Sequence, residues 1–127
     1  AVDRTNRSLA PLASPFHPAI VRLIAQVARA GAERRIPVSV CGAMASDPLA
    51  AALLVGLGLR ELSMEAAAIP EIKEALRRIT LKECEDAAAA ALEADGADGI
   101  EEGLAKSFAP RLYDLLAADV EGAGSLL

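Results

Sequence analysis

The chain has 127 residues, of which 54 % are apolar but only 2 % aromatic, and a net charge of −5. That length and composition fit one domain with a core of Ala, Leu, Val and Ile. The acidic balance argues against a nucleic-acid backbone as partner, which needs clustered Lys and Arg. The longest apolar run, Leu49 to Leu59, is too short to span a bilayer. Asp3, Arg4 and Arg7 interrupt the N-terminus before any apolar stretch, so no signal peptide is expected. Cys41 and Cys84 have no metal-ligand spacing, and a cytoplasmic location is expected. The opening A-V-D-R-T-N, without an initiator methionine, reads as a chain entered midway through something longer.

In chain order, Ala1 to Asn6 has no strand pattern, and Ser8 to Ser14, with Pro11 and a following Pro15, reads as loop. A helix is expected from His17-Pro18, with Ile20, Leu23, Ile24, Val27 and Ala28 inward and Arg22, Gln26 and Arg29 outward. Gly31 loosens its end, and Glu33-Arg34-Arg35 reads as a solvated turn. Ile36, Val38 and Val40 give a β-branched strand ending at Cys41-Gly42. Asp47 then caps a helix with Pro48 in its first turn, closed by Gly56 and Gly58. Glu61 to Met64 resumes an extended chain, so that strand, crossover helix and strand form a βαβ unit with two parallel strands.

No charge lies between Asp47 and Arg60, and a helix apolar all round must be covered on every side. The C-terminal helices and a second subunit are both expected to contribute. Pro70 starts a helix with Ile72, Ala75, Leu76 and Ile79 inward. Thr80 and Glu83 match a capping box opening a helix to about Glu93. After the break at Asp95 to Gly99, a last helix carries Ile100, Leu104, Phe108, Leu112, Leu115 and Leu116 on one stripe, with Pro110 expected to kink it. Val120 to Leu127 reads as a frayed end.

Few residues offer chemistry. Cys41 reads either as a small buried hydrophobe or, because it ends a parallel strand, as an exposed group at a pocket mouth. A nearby helix start favours its thiolate, which suits a nucleophile or a proton donor. His17 is the only histidine and reads as a cap, Cys84 as packing, and Asp3 and Asp47 as structural. Arg4 could clamp a phosphate or carboxylate, although an isolated arginine is more often solvated.

Four blocks in order resemble a known family. V-C-G-A-M-A-S-D-P-L-A-A-A-L-L-V-G-L-G-L-R-E-L-S-M is similar to the segment C-G-E-(L/M)-A-(G/S)-D followed by L-L-x-G-(L/M)-G-x-x-x-(F/L)-S-M near the end of enzyme I of the bacterial sugar phosphotransferase system, the phosphoenolpyruvate–protein phosphotransferases. A-V-D-R-T-N resembles that family's A-V-D-R-x-N, and H-P-A-I-V-R-L-I resembles its H-P-A-(V/I)-L-R-L-I. I-P-E-I-K resembles its I-P-x-(I/V)-K. The resemblance covers residues 1 to about 79, and the remainder resembles the family's helical C-terminus in character alone.

The resemblance implies an α/β fold, the C-terminal part of a (β/α)8 TIM barrel in helix-strand-helix-strand-helix order, then C-terminal helices: mostly helical with two short parallel strands. Residues 1–79 would be the last third of a phosphoenolpyruvate-binding barrel and 80–127 a helical extension. The implied parent moves the phosphoryl group of phosphoenolpyruvate to a histidine of its own N-terminal domain and then to a histidine-containing phosphocarrier protein, releasing pyruvate. It uses Mg²⁺, whose ligands lie outside this chain, and forms a homodimer in sugar transport. Cys41 matches the family's cysteine that protonates the enolate carbon, and Arg4 an arginine holding the phosphoryl group. The chain departs from the pattern at Ala43, where the family has Glu, and at Ala68, where a Ser cap is usual. The fragment alone is expected to be inactive and to self-associate through open strand edges. Alternatives are a pyruvate phosphate dikinase or phosphoenolpyruvate synthase, and a non-catalytic helical dimerisation or interaction module.

Overall fold

A computed structural model of the chain describes residues 13–122, with side chains through residue 116. The expected loop at residues 8–14 falls within them only at Ala13 and Ser14, which lie outside any helix or strand. Helix α1 spans Pro18–Arg34, strand β1 Ser39–Cys41, α2 Pro48–Gly56, β2 Glu61–Ser63, α3 Ile69–Arg77, α4 Leu81–Glu93 and α5 Ala97–Gly122. Single 3₁₀ turns, Ala43–Ser46 and Ala66–Ala68, precede α2 and α3. The described residues are thus mostly helical with one pair of short parallel strands, an α/β arrangement in helix-strand-helix-strand-helix order followed by two helices.

Helix α1 starts as its sequence dictates: His17 Nδ1 accepts the Ala19 N–H at 3.2 Å, and Pro18 occupies a position that needs no donor. It does not loosen at Gly31. The helix runs to Arg34 and closes with the Ile36 N–H donating to the Gly31 carbonyl at 2.9 Å and the Arg35 N–H to Ala32 at 3.2 Å. Arg35 takes the left-handed conformation, φ 56°, that such an ending requires. Gly31 is needed for another reason: a Cβ there would lie 2.3 Å from Val38 Cγ2, so its absence lets the strand entry cross the helix.

The buried side of α1 also differs from the expected stripe. Pro18, Val21, Ala28 and Gly31 are buried, whereas Leu23 and Val27 are 56 % and 48 % exposed. Arg22, on the solvated side, is engaged: its guanidinium donates to the carbonyls of Leu92 and Ala94, tying α1 to the end of α4.

Strands β1 and β2 are parallel, in the register Ser39 with Glu61, Val40 with Leu62 and Cys41 with Ser63. The expected strand began earlier, at Ile36, which is instead exposed and outside the ladder. Period-two alternation splits the sheet into two faces. Val40 and Leu62 pack against Ala28, Leu54 and Leu59, while Ser39, Cys41, Glu61 and Ser63 are exposed on the other face.

The core is built around α2. Asp47 caps it, its Oδ1 accepting the Ala50 N–H at 2.7 Å, and Gly58 at φ 100° ends it with bonds from Gly58 to Val55 and from Leu59 to Leu54. Ala50 through Leu54 are completely buried. The cover is supplied by the same chain: Cys84, Ala88 and Ala91 of α4 and Ile100, Leu104, Phe108 and Leu112 of α5 share one cluster with α2. Gly56 permits the α2–α4 approach, since a Cβ there would meet the Cys84 carbonyl oxygen at 2.0 Å. Ile72, Ala75 and Ile79 are buried as expected, and Ala68 before α3 provides no side-chain cap.

The Thr80–Glu83 capping box opens α4 as expected, with the Glu83 carboxylate accepting the Thr80 N–H at 2.8 Å. Arg111 of α5 adds a 2.6 Å ion pair to Glu83, and Arg78 pairs with Glu74 at 2.9 Å and Asp114 at 2.6 Å. Helix α5 continues through Pro110 to Gly122, beyond the expected start of fraying at Val120; residues 123–127 lie outside the described residues. No helix among the described residues is long and apolar enough to cross a membrane.

Candidate active site

Cys41 is the last residue of β1 and is exposed. Of its two sequence readings, the structure sets aside the buried hydrophobe. The chain leaves the sheet at Gly42, whose φ of 95° is a conformation a side chain strongly disfavours. The Gly42 N–H donates to the Ser63 carbonyl at 3.2 Å, and its own carbonyl accepts from the Ala45 N–H at 3.0 Å and the Ser46 hydroxyl at 3.4 Å. These bonds fix the backbone just after the thiol while leaving the sulfur open to solvent. The 3₁₀ turn Ala43–Ser46 separates Cys41 from α2, with Ala43 exposed and Ala45 buried.

The neighbour that the register brings to Cys41 is Ser63, at the same end of β2 and on the same face. The sequence reading did not single it out. The alternation Glu61 out, Leu62 in, Ser63 out was the available signal. At the opposite end of this face, Glu61 and Ser39 form the second pair.

The other residues considered for chemistry fall elsewhere. His17 caps α1 and Asp47 caps α2, both by accepting backbone N–H groups. Cys84 is buried between α4 and α2, and desolvation raises its thiol above the ordinary range, an effect Glu83 reinforces. Arg4 and Asp3 lie outside the described residues. Among the described residues no three His, Cys, Asp or Glu side chains converge as metal ligands. A groove between α2, β2 and α3 is lined by Val55, Leu62, Ile72 and Leu76, not by Cys41, and is largely apolar.

A family model described as "PEP-utilising enzyme, PEP-binding domain" matches residues 1–81. A protein of Escherichia coli K12 named "Phosphoenolpyruvate-dependent phosphotransferase system" is 43 % identical over 94 residues, 74 % of this chain and 13 % of its own length. The "Phosphoenolpyruvate-protein phosphotransferase" of Streptomyces coelicolor is 43 % identical over 98 residues, 77 % of this chain and 18 % of its own. A "Multiphosphoryl transfer protein" of Rhodobacter capsulatus is 46 % identical over 92 residues, 72 % and 11 % respectively. The chain therefore spans less than a fifth of the length of each of these relatives. It belongs to the PEP-utilising enzyme family, matching the PEP-binding domain, and within that family it is similar to phosphoenolpyruvate–protein phosphotransferases.

Proposed function

We propose that this chain forms the last third of a phosphoenolpyruvate-binding (β/α)8 barrel, residues 1–79, with 80–127 as a helical extension that covers it. The parent reaction moves the phosphoryl group of phosphoenolpyruvate to a histidine on the enzyme's N-terminal domain. From there it passes to a histidine-containing phosphocarrier protein. The observation that carries the reading is Cys41: an exposed thiol at the C-terminal end of a parallel strand, where barrels of this kind hold their chemistry.

Loss of the phosphoryl group leaves the enolate of pyruvate, which must gain a proton at its terminal carbon. Cys41 donates it: the S–H bond breaks, the C–H bond forms, the enolate C–O becomes a carbonyl, and the thiolate left behind takes a proton from water. Arg4 serves the other end of the substrate by holding the phosphoryl oxygens through paired N–H donors. Mg²⁺ in the parent supplies charge neutralisation at the phosphate. In this reading its ligands are supplied by the rest of the parent protein. A homodimer in the cytoplasm, working in sugar uptake, completes the reading.

This chain alone is inactive in that reading, since most of the barrel is absent from it. The test is a chimera in which the chain replaces the matching stretch of one of the relatives above. Cys41→Ala should abolish pyruvate formation, and undiminished turnover would remove Cys41 from the mechanism. Titration of the isolated chain with phosphoenolpyruvate should show no saturable binding.

A further inference from the structure

Six Ser and Thr residues lie among those whose side chains are described: Ser14, Ser39, Ser46, Ser63, Thr80 and Ser107. Four are engaged locally. Ser14 accepts the Phe16 N–H, Ser46 and Ser107 donate to the carbonyls of Gly42 and Gly103, and Thr80 belongs to its capping box. No protein group engages the hydroxyls of Ser39 and Ser63 among the described residues. Both lie on the exposed sheet face that carries Cys41.

These two free hydroxyls are not equivalent. Ser39 pairs with Glu61 at the N-terminal end of the strands, away from the end where a parallel barrel holds its ligand. Ser63 pairs with Cys41 at the C-terminal end. Adjacent strands lie about 4.8 Å apart. Paired side chains on one face of adjacent strands are neighbours, so a small molecule that meets the thiol also comes within reach of the Ser63 hydroxyl. The backbone fixes the pair, because the Gly42 N–H donates to the Ser63 carbonyl at 3.2 Å.

We propose that Ser63 is a substrate-binding residue whose hydroxyl donates a hydrogen bond to the carboxylate of phosphoenolpyruvate while Cys41 addresses its terminal carbon. The assignment rests on the reading of Cys41 as the proton donor. The carboxylate is the acceptor because it is the one charged group of the substrate that survives the reaction, so a donor to it serves substrate and product alike. Such uniform binding appears in KM and not in kcat.

The adjacency is tested on this chain alone. Ser63→Cys should let the chain bind phenylarsine oxide, which needs two thiols within a few ångströms, whereas the unaltered chain and Ser39→Cys should not; failure of Ser63→Cys to bind would overturn the proposal. In the chimera, Ser63→Ala should raise KM for phosphoenolpyruvate about 10- to 100-fold, the loss of one hydrogen bond to a charged group. Its kcat should hold within about two-fold. Ser63→Thr should restore KM, and Ser39→Ala should change neither constant. An unchanged KM in Ser63→Ala, or an equal rise in Ser39→Ala, would sink the role of Ser63. Full activity in Cys41→Ala would instead sink the reading of Cys41, so the two failures are distinguishable.

Discussion

Arg35 shows how a single residue can be set against its backbone. It holds φ 56° at the close of α1, a position where most sequences place glycine because a Cβ crowds the following carbonyl. Its side chain is exposed and, among the described residues, takes part in no hydrogen bond or ion pair that would offset that crowding. Arg35→Gly should therefore stabilise the fold by about 0.5–1 kcal/mol, the relief of left-handed strain less the added freedom of the unfolded chain. A rise of a few degrees in thermal midpoint would show it, and a fall would mean that Arg35 makes a contribution the contacts do not reveal. The two cysteines form the other contrast at this scale. Cys41 is exposed and Cys84 buried, with desolvation raising the latter's thiol. Iodoacetamide should consume one thiol in the native chain and two in denaturant, with mass spectrometry placing the native label on Cys41.

Between elements, the sharpest constraint is the crossing of α2 and α4 at Gly56. A methyl there would stand 2.0 Å from the Cys84 carbonyl oxygen and 2.9 Å from Ala88 Cβ, and neither neighbour is a flexible tip. Gly56→Ala should cost about 1–3 kcal/mol through forced separation of the helices, despite alanine's better helix propensity. Urea denaturation would measure it. The start of α4 adds a pH dependence. The Thr80 N–H and hydroxyl, and then Arg111, hold the Glu83 carboxyl below its ordinary value of 4.5. A carboxyl depressed in the folded state stabilises fully above its unfolded value and loses that contribution as pH falls through the folded one. Glu83→Gln should thus be less stable than the parent at neutral pH, and the difference should shrink as the solution is acidified. Such local grammar was legible in the sequence: Asp47-Pro48, Gly58 and Thr80-x-x-Glu83 each fix an element end by short-range bonds. The face of α1 was not. Ile20, Val21, Leu23, Ile24, Val27 and Ala28 spread over a wide arc, and periodicity cannot say which half of an arc meets a neighbour. Gly31 decided it, through a close approach to Val38 that depends on the fold. The placement of Cys41 at a strand end followed from the β-branched run before it, whereas the nearness of Ser63 required the strand register.

At the scale of the molecule, the two sides of the chain are unequally finished. Helices α4 and α5 enclose α2, and Arg78 and Arg111 bolt α5 to α3 and α4 through Asp114 and Glu83. On the other side, α1 leaves Leu23 and Val27 about half exposed, Ile36 beyond it is 58 % exposed, and among the described residues the two-stranded sheet keeps an unpaired edge on each strand. Apolar side chains next to open edges favour association with whatever can cover both. For the isolated chain that is a second copy, so its sedimentation should show concentration-dependent self-association. Leu23→Glu combined with Val27→Lys should shift it to the monomer. The double variant should keep its helical circular dichroism, because both side chains already face solvent and their removal opens no cavity in the core. A parent chain that stays monomeric across the same concentration range would show that this face needs no cover.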